Sequence, residues 1–347
     1  MSEINESSKW IEEAISKRHI KYYEYKHLKN IEEIGIGGSG KVYRAKWKNS
    51  QQYLALKSFI NIDNGTIKEL VREIELQREV VFHDNIISFY GVTILDQENQ
   101  SVNNNYSLVM EYADSGSLKN YLKENFGKLT WDDKFKFACQ LASAVLCLHD
   151  EDILHRDLSS NNVLINKNTI KLADFGLSKR IKELSNGTND LFGVVPYIDP
   201  KKFINLSYSL NKKSDIYSVG VLLWEISSGQ PPFNLESYDG CLAIQIMQGL
   251  RELPVPDTSI EYAKLYTECW DNDPDNWPFI QEVVERLNAI STVHKVEELS
   301  YEELHQTRFI RALRRRINLR RLKRAININA SDLHGQIANH NHNKKRV

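Results

Sequence analysis

The chain has 347 residues, 41% of them hydrophobic, and 45 Lys plus Arg balance 46 Asp plus Glu for a net charge of −1. That length suits one large folded unit with extensions better than two equal domains. No stretch reaches the roughly 20 apolar residues of a membrane-spanning helix; the run Val219–Trp224 is far too short, and the polar, acidic Met1–Trp10 does not fit a secretory signal or transit peptide.

Cys139, Cys147, Cys241 and Cys269 form no CxxC pair and have no His at metal-ligand spacing. They are expected to be small buried hydrophobes in a reducing, cytoplasmic setting. The near-zero net charge hides a division. Residues 301–347 carry twelve basic and three acidic side chains, whereas residues 1–300 carry 33 and 43. An acidic body with a basic tail usually marks an interaction segment.

In chain order, residues 1–25 predict a polar lead with a short helix, Ile11 and Ile15 standing one turn apart. From Lys26 to Lys57 the pattern is strand-like and broken by glycines. Thr66–Val80 predicts a helix with Ile67, Leu70, Val71 and Ile74 on its apolar side, and Asp96–Asn105 a polar loop between two strands. Thr130-Trp-Asp-Asp133 opens another helix in the manner of a capping box, with Phe137, Leu141, Ala144 and Leu148 turned inward. Lys182–Asp190 reads as a polar, mobile loop. Helical patterns then dominate from Ser214 to Ile290. A β-rich first third before a helical remainder predicts an α+β architecture of two unequal lobes with a cleft between them. The expected division is an N-terminal extension (1–25), a catalytic domain (26–292) and a basic tail, helical or disordered (293–347).

Gly35-Ile36-Gly37-Gly38-Ser39-Gly40-Lys41-Val42 is a GxGxxGxV stretch between strand-like segments. Glycines let backbone amides approach phosphate oxygens, although a flexible hairpin explains such a run equally well. A dinucleotide-binding turn is excluded because a strand, and no helix, follows. Lys57 closes the apolar strand Leu54-Ala55-Leu56, where burial is costly unless an anion meets it. Glu73 on the next helix is the candidate partner, and a solvated strand-end lysine is the plain alternative. The specific signal is His155-Arg156-Asp157-Leu158-Ser159-Ser160-Asn161-Asn162, followed by Asp174-Phe175-Gly176. An HRDLxxxN and a DFG in this order, behind a glycine loop and a strand lysine, form the protein-kinase signature.

Over roughly residues 26–292 the chain therefore resembles the eukaryotic protein kinases, and Gly116-Ser-Leu118 with Cys269-Trp270…Asp273-Pro274…Pro278 resembles their tyrosine-kinase-like group. The resemblance implies a bilobal kinase fold that moves the γ-phosphoryl group of ATP to a hydroxyl of a protein substrate. It implies that Gly35, Ile36, Gly37, Gly38 and Gly40 cover the nucleotide and that Val42, Ala55 and Leu164 sandwich the adenine. The hinge would be Met110, Glu111, Tyr112 and Ala113, with Met110 as gatekeeper. Lys57, fixed by Glu73, would hold the α/β-phosphates, Asn162 and Asp174 would hold Mg2+, and Asp157 would receive the acceptor's proton. Asp215 would brace the catalytic loop. Arg156 would meet a phosphate placed on Ser185 or Thr188. Lys57→Met and Asp157→Asn are each expected to abolish transfer with the fold intact.

Three departures from the family pattern bear on substrate and stability. Ser159 and Val194 stand where Ser/Thr kinases usually carry a lysine and its threonine partner, so Ser/Thr specificity is favoured over Tyr only by the group resemblance. Gln77 stands where an apolar residue is usual, with Leu76 as the substitute if the helix shifts register. Lys201 and Trp277 replace a usual Glu–Arg pair and predict a cation–π contact within about 6 Å. The rival reading is a pseudokinase scaffold, although Lys57, Asp157 and Asp174 are all present. The tail, with nine basic residues in Arg308–Arg324, suits nuclear import or contact with the acidic body. Its apolar residues share no helical face for a membrane, and no aromatics interleave the arginines for nucleic acid.

Overall fold

The computed structural model describes residues 2–37, 40–59, 64–94, 106–184, 193–234 and 236–296. Its first compact unit spans Met1–Ser291; the second, Thr292–Val347, falls almost wholly outside the described residues. Also outside them lie Gly38 and Ser39, the whole loop expected at Asp96–Asn105, and Ser185 and Thr188.

Helix α1 (Ser2–Ser16) precedes β1 (Leu28–Gly37), β2 (Gly40–Trp47), β3 (Tyr53–Phe59), α2 (Asn64–Val80), β4 (Phe89–Ile94) and β5 (Tyr106–Glu111). The strands form one antiparallel sheet in the order β1-β2-β3-β5-β4. In β3, Leu54, Ala55, Leu56 and Lys57 are all buried, which is the run of a central strand covered on both faces. On α2, Ile67, Leu70 and Ile74 repeat at helical spacing and are buried, so its stripe packs inward as its periodicity requires.

The remainder is helical: α3 (Leu118–Asn125), α4 (Trp131–Asp150), the short strands β6 (Ile153–Leu154), β7 (Val163–Asn166), β8 (Thr169–Leu172) and β9 (Lys179–Arg180), then α5 (Pro200–Ile204), α6 (Lys212–Ser228), α7 (Gly240–Met247) and α8 (Ile260–Cys269). The capping box on α4 is present: the Thr130 hydroxyl accepts from Asp133 N, and the Asp133 carboxylate accepts from Thr130 N. Helix α6 is capped by Asn211 and closed by Gly229 in the left-handed conformation. It is buried over its whole circumference from Ser214 onward, the mark of a helix that forms the centre of a core. Around it, residues of α4, α8 and β7–β8 make one large apolar cluster. Two smaller clusters sit on the faces of the five-stranded sheet. This is the bilobal α+β fold expected of the sequence.

The cysteines depart from expectation in part. Cys147 and Cys269 are buried, Cys139 is half-buried, and Cys241 is exposed at the start of α7.

Candidate active site

Three residues singled out in the sequence meet directly: Lys57 of β3, Glu73 of α2 and Asp174 beyond β8. Lys57, inside β3 and paired on both sides, is only 5% exposed. Its ammonium lies 2.9 and 3.0 Å from the two oxygens of Glu73 and 2.7 Å from Asp174 Oδ1. Glu73, on the inward face of α2, is 1% exposed. The solvated strand-end alternative for Lys57 is thereby set aside. Burial alone would push the lysine down, but two carboxylates outweigh it and hold it well above its ordinary value, hence charged. Burial likewise pushes Asp174 up, yet the adjacent Lys57 outweighs it and keeps this carboxyl below its usual range. For Glu73 burial dominates and raises the carboxyl, with Lys57 opposing.

On the other side of the cleft, Asp157 is pushed up by burial. Asn162 Nδ2 donates to Asp157 Oδ2 and to the Asp157 carbonyl, both at 2.8 Å. The loop that carries them is anchored from below by α6. Asp215 Oδ2 accepts from His155 N and Oδ1 from Arg156 N, each at 3.0 Å, while His149 Nε2 lies 2.9 Å from Oδ2. Those contacts hold Arg156 in the left-handed conformation (φ 69°), and Asp174 is held there too (φ 64°). Such strain persists only where surrounding contacts over-determine it. Gly193 (φ 102°) brings bare backbone against Asp157 Oδ1, an approach that a side chain would obstruct.

The residues that the resemblance assigns to a nucleotide slot between the lobes differ in their exposure. Ala55 and Met110 are buried, Val42, Leu164, Glu111, Tyr112 and Ala113 are half-buried, and Gly35 and Ile36 are exposed on β1 above it. Gly37 pairs with Gly40 at the tip of the β1–β2 hairpin. The Glu111 side chain turns away from the slot: it accepts from Ser88 N (3.2 Å) and Asn166 Nδ2 (2.7 Å) and pairs with Lys171 (2.9 Å). It thus ties β5 to the β7–β8 hairpin of the other lobe.

Oxygen donors at this place suit a hard cation. Asp174 is deprotonated and partly exposed, and Asn162, its amide nitrogen spent on Asp157, keeps its carbonyl oxygen. Among the described residues no group of three or more His, Cys, Asp or Glu could hold a metal by itself. Magnesium commonly binds through one or two protein ligands and completes its shell with phosphate oxygens and water.

The sequence model of the protein tyrosine and serine/threonine kinase family matches residues 28–287. The chain belongs to that family. It is 32% identical over 291 residues to the probable serine/threonine-protein kinase roco5 of Dictyostelium discoideum, covering 77% of this chain and 10% of that protein. A putative serine/threonine-protein kinase/receptor of Acanthamoeba polyphaga mimivirus is 31% identical over 75% of this chain and 15% of its own length. The probable serine/threonine-protein kinase drkA of Dictyostelium discoideum is 31% identical over 75% and 39% respectively. The chain therefore spans between about a tenth and two fifths of these kinases' lengths.

Against the family pattern, Gln77 keeps its inward place and α2 does not shift. Its Nε2 lies 3.4 Å from Glu73 Oε1 and 3.8 Å from Met110 Sδ, while its buried Oε1 has no partner. Leu76 instead joins the core of the helical lobe. Ser159 is buried in the turn that leads to Asn162, and Val194 packs on the same core.

The expected contact between Lys201 and Trp277 does not form. The Lys201 ammonium lies 5.9 Å from the Tyr208 ring, whereas Trp277 is buried beside Tyr217 (5.5 Å) and donates through Nε1 to the Asp271 carbonyl. The reason is local. Indole N–H and ring both find partners within the helical lobe, so the ring has no face left for an ammonium. Lys201→Glu combined with Trp277→Arg is accordingly expected to show additive losses within about 0.5 kcal/mol, with no mutual rescue, in denaturant titrations.

A feature invisible in the sequence lies beneath the catalytic loop. Tyr197 OH donates to Glu225 Oε2 (2.6 Å) and lies 3.1 Å from Ser160 Oγ. Burial pushes the Glu225 carboxyl up to about 7. No motif names this triad, because its members are 65 residues apart and meet only through the packing of α6.

Proposed function

We propose that this chain is an active protein kinase that transfers the γ-phosphoryl group of ATP to Ser or Thr hydroxyls of a protein. The observation that carries the reading is the Lys57 ammonium held between Glu73 and Asp174, across the cleft from Asp157 and Asn162. Phosphoryl transfer asks the protein chiefly for positioning and for compensation of spreading negative charge. Bound ATP would supply the phosphoryl group, and Mg2+ on Asp174 and Asn162 would neutralise its oxygens. Lys57 would orient the α/β-phosphates, with Glu73 fixing its rotamer. Asp157, oriented by Asn162, would align the acceptor hydroxyl and take its proton, and its raised affinity for protons suits that task. The backbone of Glu111–Ala113 would receive the adenine between Val42, Ala55 and Leu164. Arg156 keeps a buried Nε without a partner beside the activation segment, and a phosphate there would satisfy it.

A scaffold without turnover is disfavoured because Lys57, Glu73, Asp157, Asn162 and Asp174 are all present, with Lys57 joined to Glu73 and Asp174, and Asp157 joined to Asn162. The Ser/Thr preference rests on the relatives' names and on the group resemblance. We also place the catalytic domain at 26–292, with cytoplasmic signalling as its setting. The basic tail, beyond the described residues, would either contact the acidic body or direct nuclear entry; neither membrane nor nucleic acid is proposed as a partner.

The test is transfer of labelled phosphate from ATP to a generic protein acceptor and to the chain itself, followed by phosphoamino-acid analysis. Transfer is expected to require Mg2+, to yield phosphoserine or phosphothreonine, and to fall roughly a thousandfold in Asp174→Asn, matching the several kcal/mol a metal contributes. Phosphotyrosine alone would reassign the acceptor. Nucleotide binding with no turnover would make the chain a scaffold.

A further inference from the structure

Residues 2–24 lie ahead of the segment that matches the family, yet they are built into the same lobe as the catalytic lysine. On α1, Ile11 is fully buried and Ala14 nearly so, with Trp10 and Ile15 packed at the edges. The helix ends in a tight reversal: Arg18 adopts a left-handed conformation, and the amides of His19 and Ile20 both donate to the Ala14 carbonyl. The reversal turns Ile20 back into the same apolar cluster. The chain then runs beside β4, where Val92 N donates to Lys21 O (3.0 Å) and Tyr23 N to Val92 O (2.8 Å). Gly91 (φ 151°) makes this possible, since a Cβ there would overlap the Lys21 carbonyl. The catalytic domain thus carries a position shaped for this extension.

What α1 covers is α2. The cluster that takes in Ile11, Ala14 and Ile20 also contains Leu70 and Ile74, which flank Glu73 by one turn and by one residue. The other half of α2 is held differently. Leu76 and Val80 enter the core of the helical lobe and Glu79 pairs with Arg180, while Arg72, beside Glu73, pairs with Glu183 (3.4 Å). Glu73 lies inside the first stretch, between Leu70 and Ile74, and three residues before the second begins at Leu76. A helix gripped at one half only can swing or fray at the other.

We propose that α1 is a positioning element of the active site: by covering Leu70 and Ile74 it holds α2 where Glu73 meets Lys57, so that detaching α1 lowers turnover. The inference rests on the kinase reading for its consequence in turnover, and on packing alone for the hold on α2.

The experiment uses the full chain with Ile11→Asp, which places a charge in the α1–α2 seam. Amide hydrogen exchange is followed in peptides of α2 and of α6, and turnover is resolved into kcat and KM for ATP. Exchange in α2 is expected to rise at least about tenfold while α6 stays protected. Turnover should fall about tenfold or more in kcat, and Ile11→Val should behave as wild type in both readouts. If Ile11→Asp fails to fold, Ile11→Ala is expected to give the same pattern at smaller amplitude. Unchanged protection of α2, or loosened α2 with undiminished kcat, would overturn the proposal. A wild-type chain without turnover, in which α2 still loosens on detachment, would remove the kinase reading and leave the hold on α2 standing.

Discussion

Lys57→Met should cut phosphoryl transfer by about three orders of magnitude or more, and it should also destabilise the fold. The sequence suggested an intact fold, because a strand-end lysine looks removable. Its burial between Glu73 and Asp174 changes that. Removing one member of a buried charge pair leaves the other uncompensated, at a cost of about 3–5 kcal/mol. Glu73, already raised by burial, would meet part of this cost by taking a proton. The loss should therefore be larger at pH 8 than at pH 6. Adding Glu73→Gln should restore much of the stability, since the amide carries no charge to bury, but none of the activity. Urea titrations of the two variants at both pH values, beside ATP turnover, check this. A Lys57→Met chain as stable as wild type at pH 8 would show that Glu73 finds another cation.

Glu225→Gln should act in the opposite direction. The carboxyl is buried beneath the catalytic loop, and its folded-state value of about 7 stands well above the ordinary glutamate value of 4.5. The folded chain then binds more protons than the unfolded chain between these values, so stability declines as pH rises through that window and levels off above it. Tyr197 donates to Glu225, and a glutamine carbonyl can still accept that bond. The variant should thus be more stable than wild type at pH 8, by about 1–3 kcal/mol, and nearly equal to it at pH 5. Thermal unfolding across pH 5–8 checks the sign. A wild-type stability that does not decline from pH 5 to pH 7.5 relative to Glu225→Gln would mean the carboxylate is solvated or paired.

Much of the site was legible in the sequence because phosphoryl transfer constrains residue type at fixed spacings. His155 to Asn162 form one short loop in which side chains meet their own backbone, and Asp174 follows just beyond the next hairpin. Local geometry of that kind survives translation from sequence to structure. Glu73 was harder, since a helix face can be read from periodicity but its rotation toward Lys57 cannot; the burial of Leu70 and Ile74 on the same stripe settles it. Trp277 and Lys201 depart from the sequence expectation for the converse reason. Two residues that replace an ion pair need not keep its contact, and each found partners nearer in space. The Ser160–Tyr197–Glu225 triad and the docking of α1 depend on contacts distant in sequence, which no single segment announces.

The lacing of Lys21 and Tyr23 onto Val92 also bears on solubility. Strand β4 is the outer strand of its sheet, and an uncovered edge offers free N–H and C=O groups to any other extended chain. Residues 21–23 occupy that edge at Val92, and α1 covers the apolar stripe of α2. A chain cut at residue 28, where the family resemblance begins, would present both at once: an open strand edge and an uncovered leucine–isoleucine face. Edge-to-edge association follows from such a surface, so the extension protects this chain from itself as well as completing its small lobe.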